Sequence, residues 1–309
     1  MLDSHHKLTR LLPFIVLIAL GPLTFFESAC AEPSEERDMN LFARDNLVAW
    51  CVVAFDNQER SPTERTQMLQ ELGFRSLAWD GRREHLDLFD DEIAQLRDAR
   101  IGLQAAWCWI DGRPREGLDD VNDRVLATLE QTGTQTEIWV SFAARCFEGL
   151  NEEEKIAKGA ELVSMLRERA QAIGCSVSLY NHGDWFGEPR NMVKIIERLN
   201  VDDVGLVYNF HHAHSQIDEF QANLALMMPY LRTVNLNGMR VNGPKILPLG
   251  SGDLEETMMR QLKEAGFRGR IGILGHVEDA DVKEVLTENL AGMKKLLRRM
   301  GETEALATY

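Results

Sequence analysis

The chain has 309 residues, 44% hydrophobic and 27% charged, a composition that supports a large buried core and excludes an extended disordered protein. Its formal net charge of −15, with no Lys/Arg stripe interleaved with aromatics, opposes a phosphate backbone and argues against nucleic acid as a partner.

Residues 1–31 read as a secretory signal. Lys7 and Arg10 precede the apolar run LLPFIVLIALGPLTFF, and Ala29, Cys30 and Ala31 supply small residues for cleavage before Glu32. The run is short for a membrane span, and Gly21 and Pro22 interrupt it. A lipid anchor on Cys30 is the rival reading; it ranks second because Glu27 stands where a lipoprotein signal carries leucine. An exported protein, periplasmic or extracellular and without a membrane span, is expected. Of the remaining cysteines, Cys51, Cys108 and Cys175 fall inside predicted strands, where a free buried thiol is the ordinary outcome, so no disulfide framework is expected.

Residues 32–46 form a flexible polar leader with little to bury. From Leu47 the chain alternates short apolar runs with amphipathic segments eight times. The runs span 47–55, 75–79, 101–109, 136–142, 175–180, 203–208, 232–237 and 270–275, and each reads as a strand buried on both faces. Helices are predicted over 61–73, 86–99, 118–131, 151–173, 189–199, 215–229, 253–266 and 281–298. Ser61 with Glu64 and Asp253 with Glu256 have capping-box spacing, and Gly73, Gly174 and Gly266 sit where helices end. Eight β/α units over 47–300, with residues 301–309 as a tail, predict a single-domain (β/α)₈ TIM barrel. A doubly wound open sheet is the alternative, but no G-x-G-x-x-G follows the first strand.

In such a barrel the chemistry lies at the carboxyl ends of the strands. Those positions hold Asp80, Arg82 and His85 after the second run and Trp107 in the third. The fifth brings Asn181, His182, Trp185 and Glu188, and the sixth Asn209, His211 and His212. Asn235, Asn237 and Lys245 follow from the seventh, and His276 from the eighth. Apart from His5 and His6, every histidine falls on this one rim, which favours a ligand site over scattered structural roles. Trp79, Trp107, Trp109 and Trp185 suit stacking on sugar C–H faces, whereas Trp50 and Trp139 are expected to fill the barrel. The asparagines offer uncharged donors and acceptors, as a polyhydroxylated ligand requires.

The segments LYNHGD, VGLVYN, RTVNLNG followed by LPLGSGDLEE, and IGILGH resemble the xylose-isomerase-like barrel superfamily, which includes sugar phosphate isomerases and epimerases. The resemblance spans roughly residues 47–300 and implies a divalent metal held by Glu, Asp, His and Glu from strands 5 to 8. The matching positions here are Tyr180, Asn209, Asn235 and Gly275, so the usual Mn/Mg site is lost. A histidine-rich transition-metal site built from His182, His211, His212 and His276 and a metal-free rim both remain open. The resemblance implies a sugar isomerase or epimerase acting by acid–base proton transfer on a small carbohydrate or keto-sugar. His182 or His211 would be the base, Asp80 or Glu188 its partner, with Arg82 and Lys245 facing developing negative charge. The alternative is a metal-free carbohydrate-binding barrel that has lost the chemistry.

Overall fold

Short apolar strands joined by helices can bury both sheet faces by closing the sheet on itself. The computed structural model, which describes residues 40–112 and 118–309, has this closure. The strands are β1 (Leu47–Trp50), β2 (Ser76–Trp79), β3 (Gly102–Ile110), β4 (Glu137–Phe142), β5 (Ser176–Tyr180), β6 (Val204–Asn209), β7 (Leu231–Leu236) and β8 (Arg270–Leu274). Each pairs parallel with the next, and β8 returns to β1 with Leu47 opposite Ile271 and Trp50 opposite Leu274. Around them lie α1 (Pro62–Glu71), α2 (Phe89–Asp98), α3 (Asp120–Thr132), α4 (Glu152–Ala172), α5 (Pro189–Leu199), α6 (Phe220–Met227), α7 (Glu255–Glu264), α8 (Val282–Met300) and a short α9 (Thr303–Leu306). This is a single-domain TIM barrel.

Side chains alternate across each strand, so every strand feeds two cores. Leu77, Val140, Leu179, Leu206 and Ile273 pack outward under the helices. Val48, Trp50, Ala78, Trp139, Tyr180, Val207 and Leu274 fill the barrel. Trp50 and Trp139 meet edge to face at 5.0 Å in its centre, the role expected for both. Trp79 is expected at the rim but has the outward parity: it stacks on Phe89 of α2 at 4.0 Å and is 1% exposed.

Several boundaries differ from the sequence expectation for local reasons. β1 ends at Trp50 rather than near residue 55, because Cys51 adopts a left-handed φ of 56° and turns the chain. A 3-10 turn (Arg83–Leu88) precedes α2, and another (Phe210–Glu219) precedes α6, so both helices begin later than the sequence pattern predicts. The Ser61–Glu64 capping box forms. The Asp253–Glu256 box does not: Asp253 instead accepts the Val241 N–H, and α7 starts at Glu255.

The last residues of the leader bury more than their polar character suggests. Phe42 is fully buried, and the Asn46 side chain donates to the carbonyls of Leu41 and Gly269. The C-terminal segment is likewise packed rather than a loose tail, since Ala305 is fully buried and the Tyr309 hydroxyl donates to the Phe42 carbonyl. The signal, Cys30 and the leader up to Met39 lie outside the described residues. Among the described residues no helix is long and apolar enough to cross a membrane. Cys51, Cys108, Cys146 and Cys175 are free thiols.

Candidate functional site

Parity decides which strand-end residues reach the barrel axis. On β5 Tyr180 faces inward, so His182 two residues on does as well; on β8 Leu274 and His276 share the inner face. Tyr180, His182 and His276 line a cavity of about 50 Å³ together with Asp80, Arg82, Trp107, His211 and His212, and with Trp50, Cys51 and Phe55. Asp80, His182, His211 and His276, residues far apart in the chain, thus converge on one mouth.

Asp80 is the carboxylate of this mouth. Its Oδ1 accepts the N–H groups of Val52 and Val53 at 3.1 and 2.8 Å, which holds the turn after β1. Its Oδ2 has no partner, and the residue is only 1% exposed. The left-handed Cys51 beside it is the kind of backbone strain that functional sites retain. Arg82 covers the opening: its guanidinium lies 4.6 Å from the Trp107 ring and 5.9 Å from Phe55, and it donates to the Asp80 carbonyl at 3.1 Å. His85, expected as a ligand contact, does not line the cavity; its Nδ1 accepts the Arg82 N–H and sets the loop that carries the guanidinium.

The imidazoles pack against one another. Ring centroids are 4.3 Å apart for His182 and His212, 3.7 Å for His211 and His212, and 5.5 Å for His211 and His276. Burial, reinforced by the neighbouring charges of His276 and Lys245, holds His211 well below the usual histidine range. Burial, then His211 and His182, does the same to His212. His182 is lowered by burial and then by Arg82. All three are therefore neutral near pH 7, acting as hydrogen-bond donors and acceptors rather than as cations.

Beneath them runs a closed polar chain. The Trp50 Nε1–H and the Asn209 amide both donate to the Tyr180 hydroxyl, and His211 Nδ1 meets Asn209 Oδ1 at 2.9 Å. Burial pushes the Tyr180 hydroxyl well above its ordinary value, so it stays a phenol. Tyr180 and Asn209 occupy two of the positions where the family resemblance implies metal ligands, and they satisfy each other instead. On strand 8 the inward residue is His276 rather than the matched Gly275, whose N–H donates to the Trp50 carbonyl across the β8–β1 seam. Among the described residues no group of three or more His, Cys, Asp or Glu could hold a metal ion. The donor set present fits neither the Mn/Mg site nor a histidine-rich one.

Several expected residues are placed elsewhere. Gly183 and Asp184, both left-handed with φ of 64° and 43°, turn the loop after β5 away from the axis. Trp185 consequently packs on Phe147 at 5.0 Å and donates to Glu152, and Glu188 accepts from Gln216; neither lines the mouth. Asn181 clamps β5 to β6 through the Asn209 backbone, donating to its carbonyl and accepting its N–H. Asn235 is fully buried with neither amide atom partnered, and Lys245 is exposed on the loop after β7. Asn237 lines a neighbouring cavity that His276 shares. Tyr180, Cys51 and Phe55 are site residues that sequence reasoning left off its list; counting by twos from His182 finds Tyr180, but nothing local marks the other two.

No protein-family model matches the sequence, and no curated protein does. Solved structures do match by fold. A 3-keto-D-glucoside 4-epimerase from E. coli aligns with a TM-score of 0.62 at 16% identity, over 81% of this chain and 99% of that one. D-Psicose 3-epimerase from Clostridium cellulolyticum H10 aligns at 0.60 with 12% identity, over 82% and 98%. A xylose isomerase-like TIM barrel fused to a 4-hydroxyphenylpyruvate dioxygenase aligns at 0.61 with 13% identity, over 85% of this chain and 45% of the fusion. At these identities the likeness establishes a shared fold, the TIM barrel, with structures that include a xylose isomerase-like one.

Proposed function

We propose that this chain transfers a proton at a carbon next to the carbonyl of a small carbohydrate or keto-sugar, as a sugar isomerase or epimerase does. The observation that carries the reading is Asp80: a buried carboxylate with one oxygen committed to two backbone N–H groups and the other unpartnered on the wall of the mouth. The base role given above to His182 or His211 is assigned to Asp80 because it is the one carboxylate on the wall of the mouth, whereas His211 Nδ1 is bonded to Asn209 Oδ1. Oδ2 takes the proton from carbon, and the C–H electron pair moves onto the carbonyl oxygen to form an enolate. Arg82 and a neutral imidazole N–H offset the charge on that oxygen. Return of a proton to the opposite face of that carbon gives the epimer; return to the neighbouring carbon, with a proton passed between the two oxygens by a neutral imidazole, gives the isomer. No step passes through a metal, since the donors at the mouth do not fit one. The fold is shared with enzymes named as epimerases of a keto-glucoside and of psicose, which supports the substrate class by analogy.

The test is solvent deuterium wash-in. Keto-sugars incubated with purified, chelator-treated protein in D₂O gain deuterium at the carbon beside the carbonyl. Substrates that bind without exchange favour the second reading, a metal-free carbohydrate-binding barrel, for which the substituted ligand positions speak.

Export is part of the same proposal and rests on residues 1–31. Protein recovered from the exported fraction begins at Glu32; a mature chain still starting at Met1, in the cytosolic fraction, overturns it.

A further inference from the structure

Beside the mouth, the β7–α7 loop and the start of α8 enclose a second cavity of about 350 Å³, and His276 lines both. The mouth's own 50 Å³ admits only the reacting end of a ligand. The neighbour lies within the roughly 300–1,000 Å³ usual for small-molecule sites. Ile246, Pro248, Val277 and Val285 give it apolar walls.

Three of its lining residues offer acceptors for a donor: Asn237, Glu284 and Glu288. Asn237 is 1% exposed, and its Nδ2 donates to the carbonyls of Gly238 and Lys245 at 2.8 Å each. Two carbonyls can only accept, so the amide orientation is fixed and Oδ1 is the atom left without a partner. An unpartnered buried acceptor is costly until a donor reaches it. On the rim, α8 presents Glu284 and Glu288, one turn apart on one face and repelling each other. Both are exposed. Asp281 also lines the cavity, but its carboxylate is already taken by Arg60 and by capping α8. No lysine or arginine is on the wall.

We propose that this cavity is a second subsite that binds an ammonium group, and that the ligand is a sugar bearing an amine. Its carbonyl end enters the mouth under Arg82, and its amine lies between Asn237 Oδ1 and the Glu284–Glu288 pair. The placement of the carbonyl end rests on the proposed function; recognition of the ammonium does not. Charge complementarity sets the direction, since Arg82 stands over one cavity and carboxylates rim the other.

Titration calorimetry of the full mature protein with glucosamine and with glucose tests it. Glucosamine binds at least about tenfold more tightly, and its advantage shrinks as salt rises. The double variant Glu284→Gln, Glu288→Gln, altered only at exposed positions, abolishes the advantage while keeping the wild-type circular dichroism. Equal binding of the two sugars, or an advantage that survives in the double variant, overturns the subsite. Deuterium exchange into unaminated keto-sugars separates this from the proposed function. Exchange without any amine preference sinks the subsite alone; amine preference lost in the double variant of a protein with no exchange upholds the subsite and sinks the chemistry at the mouth.

Discussion

Asp80→Asn lowers deuterium wash-in by about 10²–10⁴-fold, the range typical for loss of a positioned general base, while leaving the fold in place. Asparagine keeps an oxygen where Asp80 Oδ1 accepts the N–H groups of Val52 and Val53, so the turn after β1 survives. What disappears is the acceptor strength of the unpartnered Oδ2. Asp80→Ala behaves differently. It leaves both N–H groups buried without an acceptor, at a cost of about 1–3 kcal/mol for an unsatisfied group, and so lowers the unfolding midpoint as well as the exchange. Wash-in kinetics and urea unfolding on the two variants separate the roles. Wild-type exchange in Asp80→Asn would return the base to a histidine.

Acidification from pH 6.5 towards pH 5 destabilises the protein more steeply than a barrel without buried histidines. His211 and His212 take up protons near pH 6.5 when unfolded but resist them when folded, because burial and the neighbouring His276, His182 and Lys245 disfavour the cations. Their folded values lie below their unfolded ones. Their contribution is therefore fully present above pH 6.5 and is lost as pH falls, at up to about 1.4 kcal/mol per pH unit for each histidine. Glu92, pushed up to about 7 by burial, works in the opposite direction in this window, so the histidine effect is read as the difference in slope between wild type and variant. The double variant His211→Gln, His212→Gln flattens the slope, read from urea unfolding at pH 6.5 and pH 5. An unchanged slope would mean the two imbalances do not exist, and that water reaches both rings in the folded protein.

Much of this protein is written in its local pattern. Apolar runs at regular spacing, each too short to be anything but a strand, and amphipathic segments between them leave an eight-unit barrel as the architecture that buries everything. Gathering at one rim is equally legible, because the end of a parallel strand is defined by where its apolar run stops. Asp80, Arg82, Trp107, His182, His211, His212 and His276 were found in that way, and all line the mouth. What a run cannot say is which way its last residue points once the strand ends. Trp79 and Trp107 look alike in sequence, yet one packs under α2 and the other lines the mouth. Trp185 and Glu188 follow His182 closely, but two left-handed residues carry them off the axis. Backbone turns of that kind depend on contacts between distant segments, as when Asp80 of one strand end holds Val52 and Val53 of another. The protonation states were likewise out of reach, since desolvation of His211 and His212 arises only when several strand ends crowd together. Composition and periodicity marked the rim at which the candidate residues gather; tertiary packing alone decided which imidazoles are neutral, which groups are committed to one another, and which buried oxygen has no partner.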